Sequence, residues 1–165
     1  MYTIYKAIKD RIKAKITGIP TIGLYNNQFE TEDQEESFLY PAVFISFPEI
    51  NYKSLGKHTS QGNSIITIYI GYETYLEPDE PKGVIGEEGV FLFFEMINKA
   101  LHGFHTEKFG ALALRKVRTS IAWSNTYILA VDYECTFQED SASLRERLEE
   151  LTLVCGTQFV ARFIE

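Results

Sequence analysis

Isoleucine recurs every fourth residue at the start of the chain, at Ile4, Ile8, Ile12 and Ile16, with Tyr5 beside this row and basic residues between. That spacing puts one apolar stripe along a helix and predicts a first helix over about residues 2–16, stopped by Gly18 and Pro20. Thr21 to Tyr25 reads as a short strand running into an Asn26-Asn27 turn, and the acidic stretch Glu30 to Glu36 as a solvated loop. Pro41 opens a strand in which Val43, Ile45 and Phe47 face one way, and Pro48 is expected to end it, because proline has no N–H to give a ladder. Residues 49–63 are polar, with Gly56 and Gly62, and read as a long hairpin arm or loop.

Ser64 to Tyr72 carries β-branched and aromatic residues on both faces, the pattern of a central strand covered on both sides over at least part of its length. Leu76 to Gly86, with Pro78, Pro81, Gly83 and Gly86, is a connection. A second helix follows, with Glu87 and Glu88 in its first turn and a stripe of Val90, Phe91, Phe94, Ile97, Asn98 and Leu101, and it ends at Gly103. Leu112 to Trp123 and Thr126 to Glu139 form a hairpin. In its second arm Tyr127, Leu129, Val131, Tyr133, Cys135 and Phe137 alternate with Ile128, Ala130, Asp132, Glu134 and Thr136, the period of a half-buried strand.

Ser143-Leu-Arg-Glu146 fits a capping box, continued by Leu144, Leu148 and Leu151 as a short helix. Leu151 to Ile164 is apolar and β-branched around Gly156, and reads as a last strand or as an arm that pairs with a neighbouring subunit. The order α-β-β-β-α-β-β-α-β predicts an α+β fold: a mixed, mainly antiparallel sheet with the N-terminal and central helices packed on it. Residues 1–139 are expected to form one domain, extended by residues 140–165.

Composition agrees with a packed core, since 45% of the 165 residues are apolar, with ten Tyr and twelve Phe. There is no signal-peptide pattern at the start and no apolar run of about 18 residues, so the expected compartment is the cytosol. Cys135 and Cys155 lack metal-like spacing and read as buried small hydrophobes.

The net charge of −7 is unevenly spread. Lys6, Lys9, Arg11, Lys13 and Lys15 crowd the first helix, and Glu30, Glu32, Asp33, Glu35 and Glu36 crowd the loop after it, which suggests complementary faces between neighbouring subunits. An acidic chain is poorly suited to gripping duplex DNA, although it can surround it.

Catalytic chemistry finds little support. His102 and His105 bracket Gly103 without further ligands nearby, and read as residues at a helix C-terminus. Gly83-Val-Ile-Gly86-Glu-Glu-Gly89 precedes a helix, but no Lys-Ser/Thr pair follows, and Glu87 and Glu88 sit where a phosphate would bind. There is no Gly-x-Ser-x-Gly elbow, and the acidic loop lacks calcium-ligand spacing. No catalytic, cofactor or metal residue is therefore assigned. Trp123, near the hairpin tip, is either a recognition aromatic or packing over the sheet edge.

The element order, the strand Tyr40-Pro-Ala-Val-Phe-Ile-Ser-Phe47, the segment Ile65-Ile-Thr-Ile-Tyr-Ile70, the helix Val90 to Leu101 and the hairpin at 112–139 together resemble the phage tail-terminator and head–tail joining (neck) family over residues 1–139. The resemblance implies a structural virion protein of the tail or neck, made in the host cytoplasm. It would form a homohexameric ring that ends tail-tube growth, with tube, sheath and neck or connector proteins as partners, DNA passing through unbound, and no membrane or cofactor. Candidate subunit-interface residues are Lys6, Lys9, Lys13, Glu30, Glu32, Asp33, Glu35, Glu36, Trp123, Phe159 and Phe163. Other expectations are a different neck, head-completion or baseplate component, an injection-system adaptor, or a small-molecule domain with a pocket lined by Tyr69, Tyr72, Phe94 and Tyr133.

Overall fold

The computed structural model describes residues 1–30, 38–56, 59–73, 87–121 and 126–139. The isoleucine stripe forms α1 (Tyr2–Lys15), in which Ile4, Ile8 and Ile12 are buried. The extended residue Ile16 closes the helix through its N–H to the Ile12 carbonyl and is itself buried. At roughly 2–3 kcal/mol per buried isoleucine, this stripe outweighs any helix propensity in docking α1.

The strands are β1 (Thr21–Leu24), β2 (Ala42–Ser54), β3 (Ser60–Glu73), β4 (Ala113–Ile121) and β5 (Thr126–Glu139), arranged in one sheet in the order β1-β2-β3-β5-β4. β1 pairs with β2 in parallel and the other pairings are antiparallel, so the fold is α+β with a mixed, mainly antiparallel sheet. Both the N-terminal helix and the second helix, α2 (Glu87–Leu101), pack on the same face of this sheet.

Pro48 does not end its strand, contrary to the sequence expectation. β2 runs on to Ser54, and its register with β3 shifts between Ser46 and Glu49. The irregularity falls at Phe47-Pro48, where a bulge tolerates a residue that cannot donate to the ladder. Residues 49–54 and 60–63 accordingly form the distal part of the paired β2 and β3, and β5 pairs with β3 along its whole length, from Thr126 opposite Glu73 to Glu139 opposite Ser60.

On the helix-covered face Val43, Ile45, Ile66, Ile68, Ile70, Leu129, Val131 and Tyr133 meet the isoleucines of α1 and Phe93, Ile97, Ala100 and Leu101 of α2. Ile97 and Leu101 of the predicted α2 stripe are buried and Phe94 packs against the core, but the buried face takes in further residues and excludes Phe91. Phe93 and Ala100 are in the core, whereas Phe91 is 53% exposed. The connection from α2 to β4 turns at Gly103 (φ +75°), whose N–H donates to the Leu112 carbonyl oxygen, and Phe109 folds back into the core. Glycine suits this left-handed position at the helix end.

β5 is buried on both faces over its first half rather than half-buried, because Ile128, Ala130 and Asp132 are covered too. Over Ile128 the second face carries an aromatic cluster: Phe29, Phe44, Tyr25, Phe38, Tyr40 and Tyr69 pack there with Ala42. Tyr25 stacks on Tyr69 at 3.9 Å between ring centroids. Gly71 makes room for this cluster, since a β-carbon there would stand 2.5 Å from the Phe29 ring. The predicted helix and strand or arm of residues 140–165, and the acidic loop beyond Glu30, lie outside the described residues.

Candidate assembly surface

Lys6 and Lys13 project from the exposed side of α1, and Lys9 is partly covered, its ammonium 5.6 Å from the centre of the Tyr5 ring. Lys6 is paired with Asp10 one turn along, and this hydrogen-bonded carboxylate raises the Lys6 pKa. Both side chains are more than half exposed, so the pair orients the lysine more than it stabilises the fold. Glu30 is exposed and accepts a hydrogen bond from the Tyr25 hydroxyl at 3.3 Å. Burial, with Glu30 adding to it, pushes that hydroxyl's pKa upward. Glu32, Asp33, Glu35, Glu36, Trp123, Phe159 and Phe163 lie outside the described residues, so the structure describes only the basic half of the expected complementary pair and Glu30 of the acidic half.

The sequence did not single out the groove between α1 and α2. It measures about 380 Å³ and is lined by Arg11, Lys15, Met96, Lys99 and Ala100. Arg11 is fixed in place: its Nε donates to the Ala100 carbonyl oxygen at 3.0 Å and its guanidinium lies 5.0 Å from the centre of the Phe104 ring. Met96, which lines the groove, is 46% exposed, and α2 also exposes Phe91 and Leu92, at 53% and 57%. Large apolar side chains at these levels, on a helix whose groove also holds cations, make an amphipathic surface of the kind used for protein contact. Lysines at Lys13, Lys15 and Lys99 in the last turns of the two helices were a readable signal, since cations there are favoured by the helix dipole.

The open half of the opposite face carries paired charges. Thr67 Oγ1 donates to Asp132 Oδ1 at 2.8 Å, and Arg118 Nη2 donates to both carboxylate oxygens of Asp132, at 2.7 and 2.9 Å. Next to this, Glu134 accepts from Asn63 and pairs with Arg115, which hold its carboxyl below the usual carboxylate range. The register of β4 shifts between Leu114 and Lys116, and this bulge swings Arg115 toward Glu134.

The four residues expected to line a small-molecule pocket do not converge. Tyr72, Phe94 and Tyr133 belong to the helix-side core, whereas Tyr69 is in the aromatic cluster across the sheet. The Tyr133 hydroxyl is engaged in a hydrogen bond to Asn98 Oδ1 at 3.1 Å. A shallow groove of about 460 Å³ opens at the distal end of the sheet, between Leu55, the loop around Thr106 and Lys108, and Gln138. His102 accepts the Leu114 N–H at its Nδ1, and among the described residues no His, Cys, Asp and Glu side chains are grouped to hold a metal ion. Cys135 is buried; Cys155 lies outside the described residues. Among the described residues no helix is long and apolar enough to cross a membrane.

Neither a protein-family model nor a curated protein matches the sequence. Solved structures do match in fold. A chain of the virion of the native gene transfer agent (GTA) particle superposes with a TM-score of 0.54 over 82% of this chain and 95% of that one, at 7% sequence identity. At that identity the likeness is one of fold.

Proposed function

We propose that this protein is a structural subunit of a phage-type virion, forming a ring at the tail or neck that ends tail-tube growth and joins the tail to the head connector. The observation that carries the proposal is the overlap with the virion chain: it spans nearly all of that chain and most of this one. Two further features support it. The α1/α2 surface combines cations with exposed apolar side chains in a protein that is acidic overall, as suits a heterologous contact between neighbours in a ring. The net charge of −7 suits a passage through which DNA slides without sticking.

The test is electron microscopy of the purified protein mixed with tail tubes of the same particle. The expected result is a sixfold ring on one tube end and an arrest of further tube growth. Tubes that stay bare and keep growing refute the terminator role, and binding to heads instead moves the protein to the head-completion side of the neck.

A further inference from the structure

β2 is longer than the neighbour on its outer side. β1 pairs with Ala42–Ile45 alone, and the Tyr25 N–H adds one bond to the Ile45 carbonyl oxygen. From Glu49 to Ser54 the strand is paired with β3, and among the described residues no strand pairs with its other side. The direction of the free groups follows from the ladder. The Leu55 N–H donates to the Thr59 carbonyl oxygen at 3.0 Å. At alternate positions before it, Lys53, Asn51 and Glu49 therefore turn their backbone groups toward β3, and Ser54, Tyr52 and Ile50 turn theirs outward. No bulge or proline interrupts this stretch, and Glu49 and Asn51 to Ser54 are exposed. A free edge of this kind is a template for one more strand.

We propose that a second copy of this chain fills that edge, the two β2 strands running antiparallel about a two-fold axis at Asn51. Backbone and side chains select the same register. With Asn51 opposite its own mate, Ile50 of each copy faces Tyr52 of the other, and these are residues whose free N–H and carbonyl groups point across the axis. Glu49 then stands opposite Lys53, twice, at positions without backbone bonds, where cross-strand side chains come closest. Neither Glu49 nor Lys53 is in an ion pair among the described residues, and the Asn51 amide donates to Glu49 Oε1 at 2.9 Å, which holds the carboxylate on this face. On the other face Ile50 packs against the helix-side core, and Tyr52, 50% exposed, meets the Phe137 ring edge to face at 6.0 Å. The Ile50–Tyr52 contacts would extend that core from one copy to the next. A shift of two residues separates Glu49 from Lys53, and parallel in-register pairing sets like charges side by side. A two-fold contact is closed, so pairing stops at two copies. The proposal does not rest on the ring assignment and concerns the protein alone in solution.

The test is sedimentation equilibrium of the purified full chain over a range of concentrations, with circular dichroism to check that each variant is folded. A monomer–dimer equilibrium is expected. Glu49→Lys alone and Lys53→Glu alone each place like charges opposite one another at both pairs, and each weakens the dimer about tenfold. An equimolar mixture of these two variants restores it, because every pair between unlike copies is then attractive. A second readout fixes the register. In a Cys155→Ser background, Asn51→Cys meets its own mate at a Cα separation of about 4.5 Å, within disulfide range, so mild oxidation gives a covalent dimer. Ser54→Cys stands roughly 20 Å from its mate in the same register and gives none. A monomer at every concentration, a dimer indifferent to both charge reversals, or a disulfide yield for Asn51→Cys no better than for Ser54→Cys would each overturn the proposal. None of these results bears on the capping of tail tubes, so the two readings fail separately.

Discussion

Asp132 is 9% exposed, and its carboxylate is satisfied from two strands, by the Thr67 hydroxyl and by both contacts from Arg118. Removing Arg118 leaves a covered negative charge with one weak donor, whereas Asp132→Asn keeps an acceptor for Thr67 and releases an arginine that can turn to water. Arg118→Ala is therefore expected to destabilise by about 1–3 kcal/mol and Asp132→Asn by less, measured as urea midpoints. In the sequence Asp132 occupies a polar position of an alternating strand and reads as facing solvent. Its burial depends on Arg118 and Thr67, which come from the flanking strands, and no local pattern announces them. Cys135 was legible as a buried hydrophobe, and burial pushes its thiol up to about 11. In the unfolded chain the thiol titrates near 8.5. Between these values the unfolded state has already lost a proton that the folded state keeps, so stability falls as pH rises through this window. Tyr72, pushed up to about 12 by burial, and Tyr133, raised for the same reason, extend the loss above pH 10. Unfolding midpoints measured from pH 8 to 11 are expected to decline, and more shallowly in Cys135→Ala.

At the scale of elements, the two helices differ in how far their sequences determine which side is buried. In α1 a strict four-residue repeat between charges leaves one solution, and the structure adopts it. In α2 the run Val90-Phe-Leu-Phe-Phe94 is apolar all round, so several phases fit equally and only contact with the sheet decides among them. Tyr72 meets the Phe93 ring edge to face, 5.0 Å between centroids, and sets the choice. Ile97→Ala is accordingly expected to cost about 2–5 kcal/mol, whereas Phe91→Ala changes stability by roughly 0.5 kcal/mol or less. Pro48 shows the opposite failure, a correct local rule overridden because a bulge absorbs the residue. Gly71→Ala forces the Phe29 ring out of the aromatic cluster and is expected to cost about 1–3 kcal/mol, visible as lost near-ultraviolet dichroism together with a lower melting temperature.

For the whole molecule, the class of fold and the location of the basic surface were legible, because both follow from periodicity and charge along single segments. The α1/α2 groove was not, since it joins residues far apart in sequence and exists only once both helices are seated. If the ring assignment holds, reversing charge at Lys13 and Lys15 weakens capping of tubes while leaving the melting temperature nearly unchanged, and added salt acts in the same direction.

The outer strand β4 adds a constraint of another kind. Among the described residues it pairs only with β5, its register with that strand shifts between Leu114 and Lys116, and it carries Arg115, Lys116 and Arg118. A flat, uncharged rim of this length would invite copies to zip together strand by strand. An irregular, charge-bearing outer strand resists that, so the protein is expected to stay dispersed at concentrations where a flat, uncharged edge would aggregate.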